Sequence, residues 1–359
     1  MISTKTVTSW KEFTESRKVS YKAFKNNIDG FKDEEKGFEE MRTSPHHRSI
    51  QQWDKTVVTA DEEGVFASLQ PIYYPINYNN ITTSMVGIGA VCCIKKGTKA
   101  IHDCFSLALN DAYAKKVPFS YLYPFSGKYY NQFGYSYGIM KKDWSIPRLS
   151  FPYIENTEVK LNDNDFKRQR EYAKKYNFSV VRDEIDWVNL LKDFVVREMD
   201  DFLTYHIVDN NIVVTSQCST PKTLSSLLAK LPKVEEKITI TLPSWYEAGQ
   251  IMEEMNLERT RATCSYSAQG MSRIVNLEAA VALLRPTKDD SVTIKVSDEL
   301  IAENNGIFTF CSKKGKVKLI IGNSSYDYEL TIDKLSRLFT IGDGSVIFPY
   351  NSNAIFDYF

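Results

Sequence analysis

The sequence carries no excess charge of either sign: 45 Lys and Arg residues are matched by 45 Asp and Glu residues. That removes the basic field on which nucleic-acid binding rests, and equally an acidic field for polycations. Histidine is scarce, with four residues. The six cysteines, Cys92, Cys93, Cys104, Cys218, Cys264 and Cys311, form no Cys-x-x-Cys pair. A zinc centre and a thioredoxin-like redox site therefore have little support. The cysteines are expected as buried, reduced thiols of a cytoplasmic protein. The pair His46-His47 in SPHHRS lacks neighbouring carboxylates or thiols and reads as solvent-exposed, so no metal is expected. No apolar run approaches the ~18 residues of a membrane helix, and MISTKTVTSWKEF holds no apolar signal-peptide core. The expectation is a cytoplasmic chain without membrane or nucleic-acid partners.

What is present is length and aromatic side chains. A chain of 359 residues is long for one domain. With 21 Tyr and 20 Phe it has material for large cores or for an aromatic-lined pocket. The first segment, residues 1–145, starts with an amphipathic helix around 11–24. Strand-like runs follow at 57–59, 64–74 and 84–93. Ile101, Cys104, Phe105, Ala108 and Ala112 then repeat at helical spacing until Pro118, and 119–123 reads as the next strand. This is a strand, a glycine-containing loop, a helix and a strand in succession.

A turn at 144–147 opens the second segment, 146–265. Helices are expected there at 165–176, 187–198 and 219–231, with strands at 202–208, 212–216 and 238–242. The third, 266–359, reads as a helix at 272–284, strands at 291–297, 307–311 and 317–322, and a helix at 331–339. Its apolar end, with Ile355, Phe356, Tyr358 and Phe359, reads either as core or as a docked terminus.

Four stretches carry a family resemblance. The segment Leu122–Phe125 with Tyr129-Tyr130-Asn131-Gln132-Phe133-Gly134-Tyr135 resembles a strand followed by a Tyr-x-x-Phe-Gly-Tyr pattern. Val86-Gly87-Ile88-Gly89-Ala90-Val91 resembles a strand leading into a coenzyme loop. Met271–Asn276 resembles the opening of a third domain, and Asp357-Tyr358-Phe359 an aromatic end. Together they resemble the Gcn5-related N-acetyltransferases (GNAT) of the enhanced-intracellular-survival (Eis) type.

The resemblance implies an α/β (α+β) fold: two tandem GNAT-like domains with mixed central sheets, 1–145 and a degenerate 146–265, then a sterol-carrier-protein-like domain, 266–359. It implies acetyl-CoA as co-substrate and a primary amine as acceptor, on an aminoglycoside-like small molecule or on a lysine of a peptide. Tyr130 would be the general acid and the terminal carboxylate of Phe359 the general base. Ala90, Val91, Cys92, Lys96, Gly97, Thr98, Lys99, Phe125 and Ser126 would hold the coenzyme. A homo-oligomer, in this family often a hexamer, is implied as well. On the residues alone, Tyr130 reads first as one more core aromatic.

The coenzyme loop departs from the family pattern of Arg or Gln, two residues, Gly, one residue, then Gly or Ala. With Gly97 on the first glycine, Ile94 stands where Arg or Gln belongs and Lys99 at the second small position. Lys95, Lys96 and Lys99 supply charge for phosphates instead. The departure motivates an alternative, an inactive GNAT scaffold that binds or assembles.

Overall fold

A computed structural model describes residues 2–24, 47–155, 159–191, 193–233, 236–243, 261–322 and 325–350. The strands are β1 (Ser3–Thr6), β2 (Val57–Asp61), β3 (Gly64–Tyr78), β4 (Ile81–Cys93), β5 (Phe119–Leu122), β6 (Ser136–Pro147), β7 (Phe194–Glu198), β8 (Asp201–Val208), β9 (Asn211–Cys218), β10 (Lys237–Pro243), β11 (Thr263–Ile274), β12 (Asp290–Ser297), β13 (Gly306–Lys313), β14 (Lys316–Ile321) and β15 (Tyr328–Thr331). The helices are α1 (Trp10–Phe24), α2 (Arg48–Gln51), α3 (Ala100–Ala114), α4 (Gly127–Asn131), α5 (Asp163–Ala173), α6 (Glu184–Leu190), α7 (Pro221–Ala229), α8 (Leu277–Val281) and α9 (Ile332–Thr340).

Eleven strands form one mixed sheet in the order β1-β2-β3-β4-β5-β11-β6-β10-β9-β8-β7. A second sheet runs β14-β13-β12-β15. The fold is mixed α/β. The divisions expected at 145/146 and 265/266 fall inside β6 and β11, which pair antiparallel with each other and carry the sheet across both.

Helices cover both faces of this sheet. On β2, neighbouring side chains point to opposite sides. Val58 packs with Phe13 of α1, whereas the Thr59 hydroxyl lies 3.3 Å from the Cys104 thiol of α3. Helix α3 buries Ala100, Ile101, Cys104, Phe105, Ala108, Leu109 and Ala112. These include all five positions whose spacing predicts the helix. Residue for residue, an aromatic such as Phe105 in this interface is worth about 3–5 kcal/mol against truncation to alanine.

Three local expectations are corrected. Residues 194–198, read as the end of a helix, are strand β7; α6 stops at Leu190. Capping boxes at Asn162 and Asp183 begin α5 and α6 two or three residues earlier than apolar spacing alone suggests. The expected helix 272–284 is largely β11 followed by the five-residue α8. Met271, Ile274 and Leu277 are spaced as on a helix, but Met271 and Ile274 are buried between strands β5 and β6. The turn expected at 144–147 is instead the end of the long strand β6, with Trp144 and Ile146 in the core.

The third segment does not stand apart. One core joins Ile72, Tyr74, Ile76 and Tyr78 of β3 to Phe308, Phe310, Phe339 and Phe348 of the second sheet's layer. The Tyr78 hydroxyl donates to the Phe339 carbonyl at 2.7 Å. These aromatic rings fill the space between the small sheet and α9.

Candidate active site

Strand β4 carries a bulge. Gly89 pairs with Gln70 and Cys92 with Ser68, so Ala90 and Val91 oppose the single residue Leu69. Ala90 sits at φ +51, a left-handed conformation that costs a residue with a Cβ about 1–2 kcal/mol. The bulge turns β4 aside. Its parallel pairing with β5 covers Met85, Val86 and Gly87 against Phe119, Ser120 and Tyr121, and goes no further. Beyond Gly87 the two strands part and leave a gap in the middle of the sheet. Ser120 bridges the last pairs, donating to the Val86 carbonyl at 2.9 Å and meeting the Tyr135 hydroxyl at 2.6 Å.

Tyr130 stands beside this gap on the α3 side. Ser126 caps α4 by accepting from the Tyr129 amide, and the short helix ends in a left-handed turn at Gly134, φ +77. The Tyr130 ring is 3% exposed and packs against Phe105, Phe125 and Tyr129. Among the described residues no hydrogen bond engages its hydroxyl. Burial raises its pKa above the ordinary 10, with Tyr129 adding to the shift, so the proton stays on at neutral pH. Phe125 is exposed at the mouth of the same aromatic group.

The segment from Cys93 to Ala100 leads from β4 into α3. Gly97 has φ +73 and open space where a Cβ would stand. Lys99 is the N-cap of α3 and its side chain caps nothing, which leaves the amides of the first turn open toward solvent. The Lys99 side chain is exposed, as are Ile94, Lys96, Gly97 and Thr98. Lys95 is committed elsewhere, with Asp61 and Glu63 each at 2.6 Å. Of the three lysines expected to attract phosphates, Lys96 and Lys99 form no ion pair among the described residues. His102 in the first turn of α3 is half exposed and 3.6 Å from Asp103. Cys92 points to the opposite face, where its buried thiol meets Ser20 at 3.4 Å and Ser68 at 3.3 Å. Burial pushes that thiol's pKa up.

Residues 11–138 match the model of an acetyltransferase (GNAT) domain, and residues 277–345 that of a sterol carrier protein domain. The chain carries a GNAT acetyltransferase domain and, after it, a sterol carrier protein domain. Its whole length is covered by solved structures of the same fold. A GCN5-related N-acetyltransferase from Anabaena variabilis aligns over 100% of both chains with a TM-score of 0.80 at 17% identity. One from Kribbella flavida does so with a TM-score of 0.80 at 15% identity. Eis1 from Mycobacterium abscessus does so with a TM-score of 0.77 at 13% identity. At such identities the likeness is one of fold. No curated protein matches the sequence.

The acetyltransferase domain brings together Ala90, Val91, Gly97, Thr98 and Lys99 around the β4–α3 turn, and Phe125, Ser126 and Tyr130 across the gap. Phe359 and the rest of 351–359 lie outside the described residues, as does His46. His47 is exposed at the start of α2, its Nδ1 2.6 Å from the Ser49 hydroxyl. His206, read as structural, is on β8 and 2.6 Å from Asp193.

Among the described residues no group of three or more metal-ligating side chains converges. No described helix is long and apolar enough to cross a membrane.

Sequence reasoning misses the clamp behind Tyr130. Arg273 of β11 is fully buried; it donates to the Phe133 carbonyl at 2.6 Å and to Asp298 at 2.5 Å. Asn131, at the end of α4, donates to Asp333 of α9 at 3.0 Å. The only signal in the sequence is an arginine in an otherwise apolar stretch, Met271-Ser272-Arg273-Ile274-Val275.

Proposed function

We propose that the protein transfers acetyl from acetyl-CoA to a primary amine, on a small molecule or on a lysine side chain of a peptide. The observation that carries this reading is the Tyr130 hydroxyl, held without a hydrogen-bond partner among the described residues, beside the gap where β4 leaves β5. In the reaction the amine nitrogen attacks the thioester carbonyl carbon, a C–N bond forms and the C–S bond breaks. Tyr130, protonated at neutral pH, hydrogen-bonds the departing sulfur and gives it a proton as negative charge develops there, and the phenolate regains its proton from solvent. The proton lost by the amine goes to a carboxylate, for which the α-carboxylate of Phe359 is proposed.

The open amides at the start of α3 offer donors for the coenzyme's pyrophosphate, with Lys96 and Lys99 adding charge. The exposed Lys99 side chain leaves that backbone approachable. Ala90, Val91 and Cys92 would meet the pantetheine through their backbone, since the Cys92 side chain faces away. Phe125 and Ser126 would close the mouth. The division into a first and a degenerate second GNAT-like domain, homo-oligomerisation and a cytoplasmic location belong to the same proposal.

Two measurements test it. Calorimetric titration is expected to give micromolar binding of acetyl-CoA, weakening with salt as phosphate contacts do; no binding would favour the inactive-scaffold reading. Adding one glycine after Phe359 is expected to lower kcat about 10-fold in a thiol-release assay, because it moves the carboxylate. Full turnover by the extended chain would remove Phe359 from the mechanism.

A further inference from the structure

Four arginines are buried among the described residues, and each has partners. Arg48 meets Asp183 and Asp186. Arg148 donates to four carbonyls, Arg182 to the Ser216 hydroxyl, and Arg273 to Asp298. Arg17 of α1, half-buried as a residue, has none among the described residues. Its Nε is buried without a hydrogen-bond partner, and no ion pair engages its guanidinium among the described residues. Its titratable neighbours include Cys92, Tyr21 and His47, a thiol, a phenol and an imidazole, none of them an anion at neutral pH. A guanidinium cannot shed its proton, and one held out of water without an anion is costly.

The place of Arg17 is fixed by its neighbours. Arg17, Ser20 and Tyr21 share one face of α1 by helical spacing. Ser20 touches the Cys92 thiol at 3.4 Å, and Cys92 is the second residue after the bulge at Ala90. The guanidinium therefore lies on the α1 side of β4, beside the bulge, while Tyr130 and α3 lie on the other side. The buried Ser20 and Ser68 line the same Cys92 thiol, and His47 is close enough to feel the guanidinium.

We infer that Arg17 receives a carboxylate of the acceptor, so that the amines acetylated are those that carry an acid group, such as amino acids. The inference rests on the acetyl-transfer reading and names the substrate class for that site. A bidentate guanidinium–carboxylate pair on the α1 side would hold the amine toward the gap.

The test compares an amino acid with its decarboxylated amine: phenylalanine against phenethylamine, and lysine against 1,5-diaminopentane. In the thiol-release assay wild-type kcat/KM is expected to favour the acid member of each pair by about 10- to 100-fold. Arg17→Met is expected to bring the ratio near unity, and Arg17→Lys to leave part of it. A wild-type ratio near unity would overturn the inference while leaving acetyl transfer intact. Failure to release thiol with any amine would strike the acetyl-transfer reading instead. Calorimetry with N-acetylphenylalanine, the expected product, needs no turnover: wild type should bind it about 10-fold more tightly than Arg17→Met. Equal affinities, or weaker acetyl-CoA binding with the amine preference kept, would overturn the inference.

Discussion

Replacing Tyr130 with phenylalanine is expected to lower kcat for acetyl transfer about 100-fold, the low end of what a positioned general acid contributes. Affinity for acetyl-CoA should change little. The substitution leaves the ring in place against Phe105, Phe125 and Tyr129. It deletes a hydroxyl that makes no hydrogen bond among the described residues, so the unfolding midpoint should stay near that of wild type. Tyr135 is the matched control. Its hydroxyl is committed to Ser120 at 2.6 Å, so Tyr135→Phe should cost about 1 kcal/mol of stability and far less in rate. The pH profile gives a second readout. Burial raises the Tyr130 pKa, so its loss of a proton should not limit the rate until well above pH 10. Thiol release measured against pH, with melting curves for both variants, checks this. A Tyr130→Phe enzyme of full kcat would assign the residue to the core alone.

The parts legible in the sequence are those where side-chain chemistry and local spacing agree. Helix α3 is one: its buried stripe follows from residues three and four apart. The stretch from Leu122 to Tyr135 is another, because its residue pattern belongs to a family. The failures have two causes. The segment 194–198 pairs with the very next strand, β8, in a hairpin whose turn holds only Met199 and Asp200, whereas 263–274 becomes a strand through β5 and β6, far away in sequence. No local window contains the partners of β11, and the helical spacing of Met271, Ile274 and Leu277 misleads for that reason. The bulge at Ala90 is hidden for another reason. A left-handed residue is expected to be glycine, and Gly87 and Gly89 stand nearby, yet the strain falls on the alanine. Lys95 shows the same limit at the level of charge. As sequence it is one of three lysines in a loop; in the structure Asp61 and Glu63 hold it.

The insertion of β11 also explains why the third segment should control the acetyltransferase site. Asp298→Ala is expected to destabilise the protein by about 3–5 kcal/mol, because it leaves the buried Arg273 guanidinium without its counter-charge. The Asp298 carboxylate accepts from Arg273 at 2.5 Å and Asn304 at 2.8 Å. It also accepts from the amides of Leu300 at 3.0 Å and Ile301 at 3.3 Å, so four donors lose their acceptor together. The same guanidinium holds the Phe133 carbonyl, three residues from Tyr130, and stands against the left-handed turn at Gly134. A substitution in the sterol-carrier-type segment is therefore expected to lower kcat as well as the unfolding midpoint, measured below the temperature at which the variant melts. Removing the charge on both sides, Arg273→Met with Asp298→Leu, should recover the share of stability due to the uncompensated buried ion, though not the share due to Asn304 and the Leu300 and Ile301 amides. It should not recover kcat, because the tie to Phe133 is still missing. Equal recovery of both would mean that Arg273 acts on stability alone; recovery of stability without rate would identify it as a positioning residue for Tyr130.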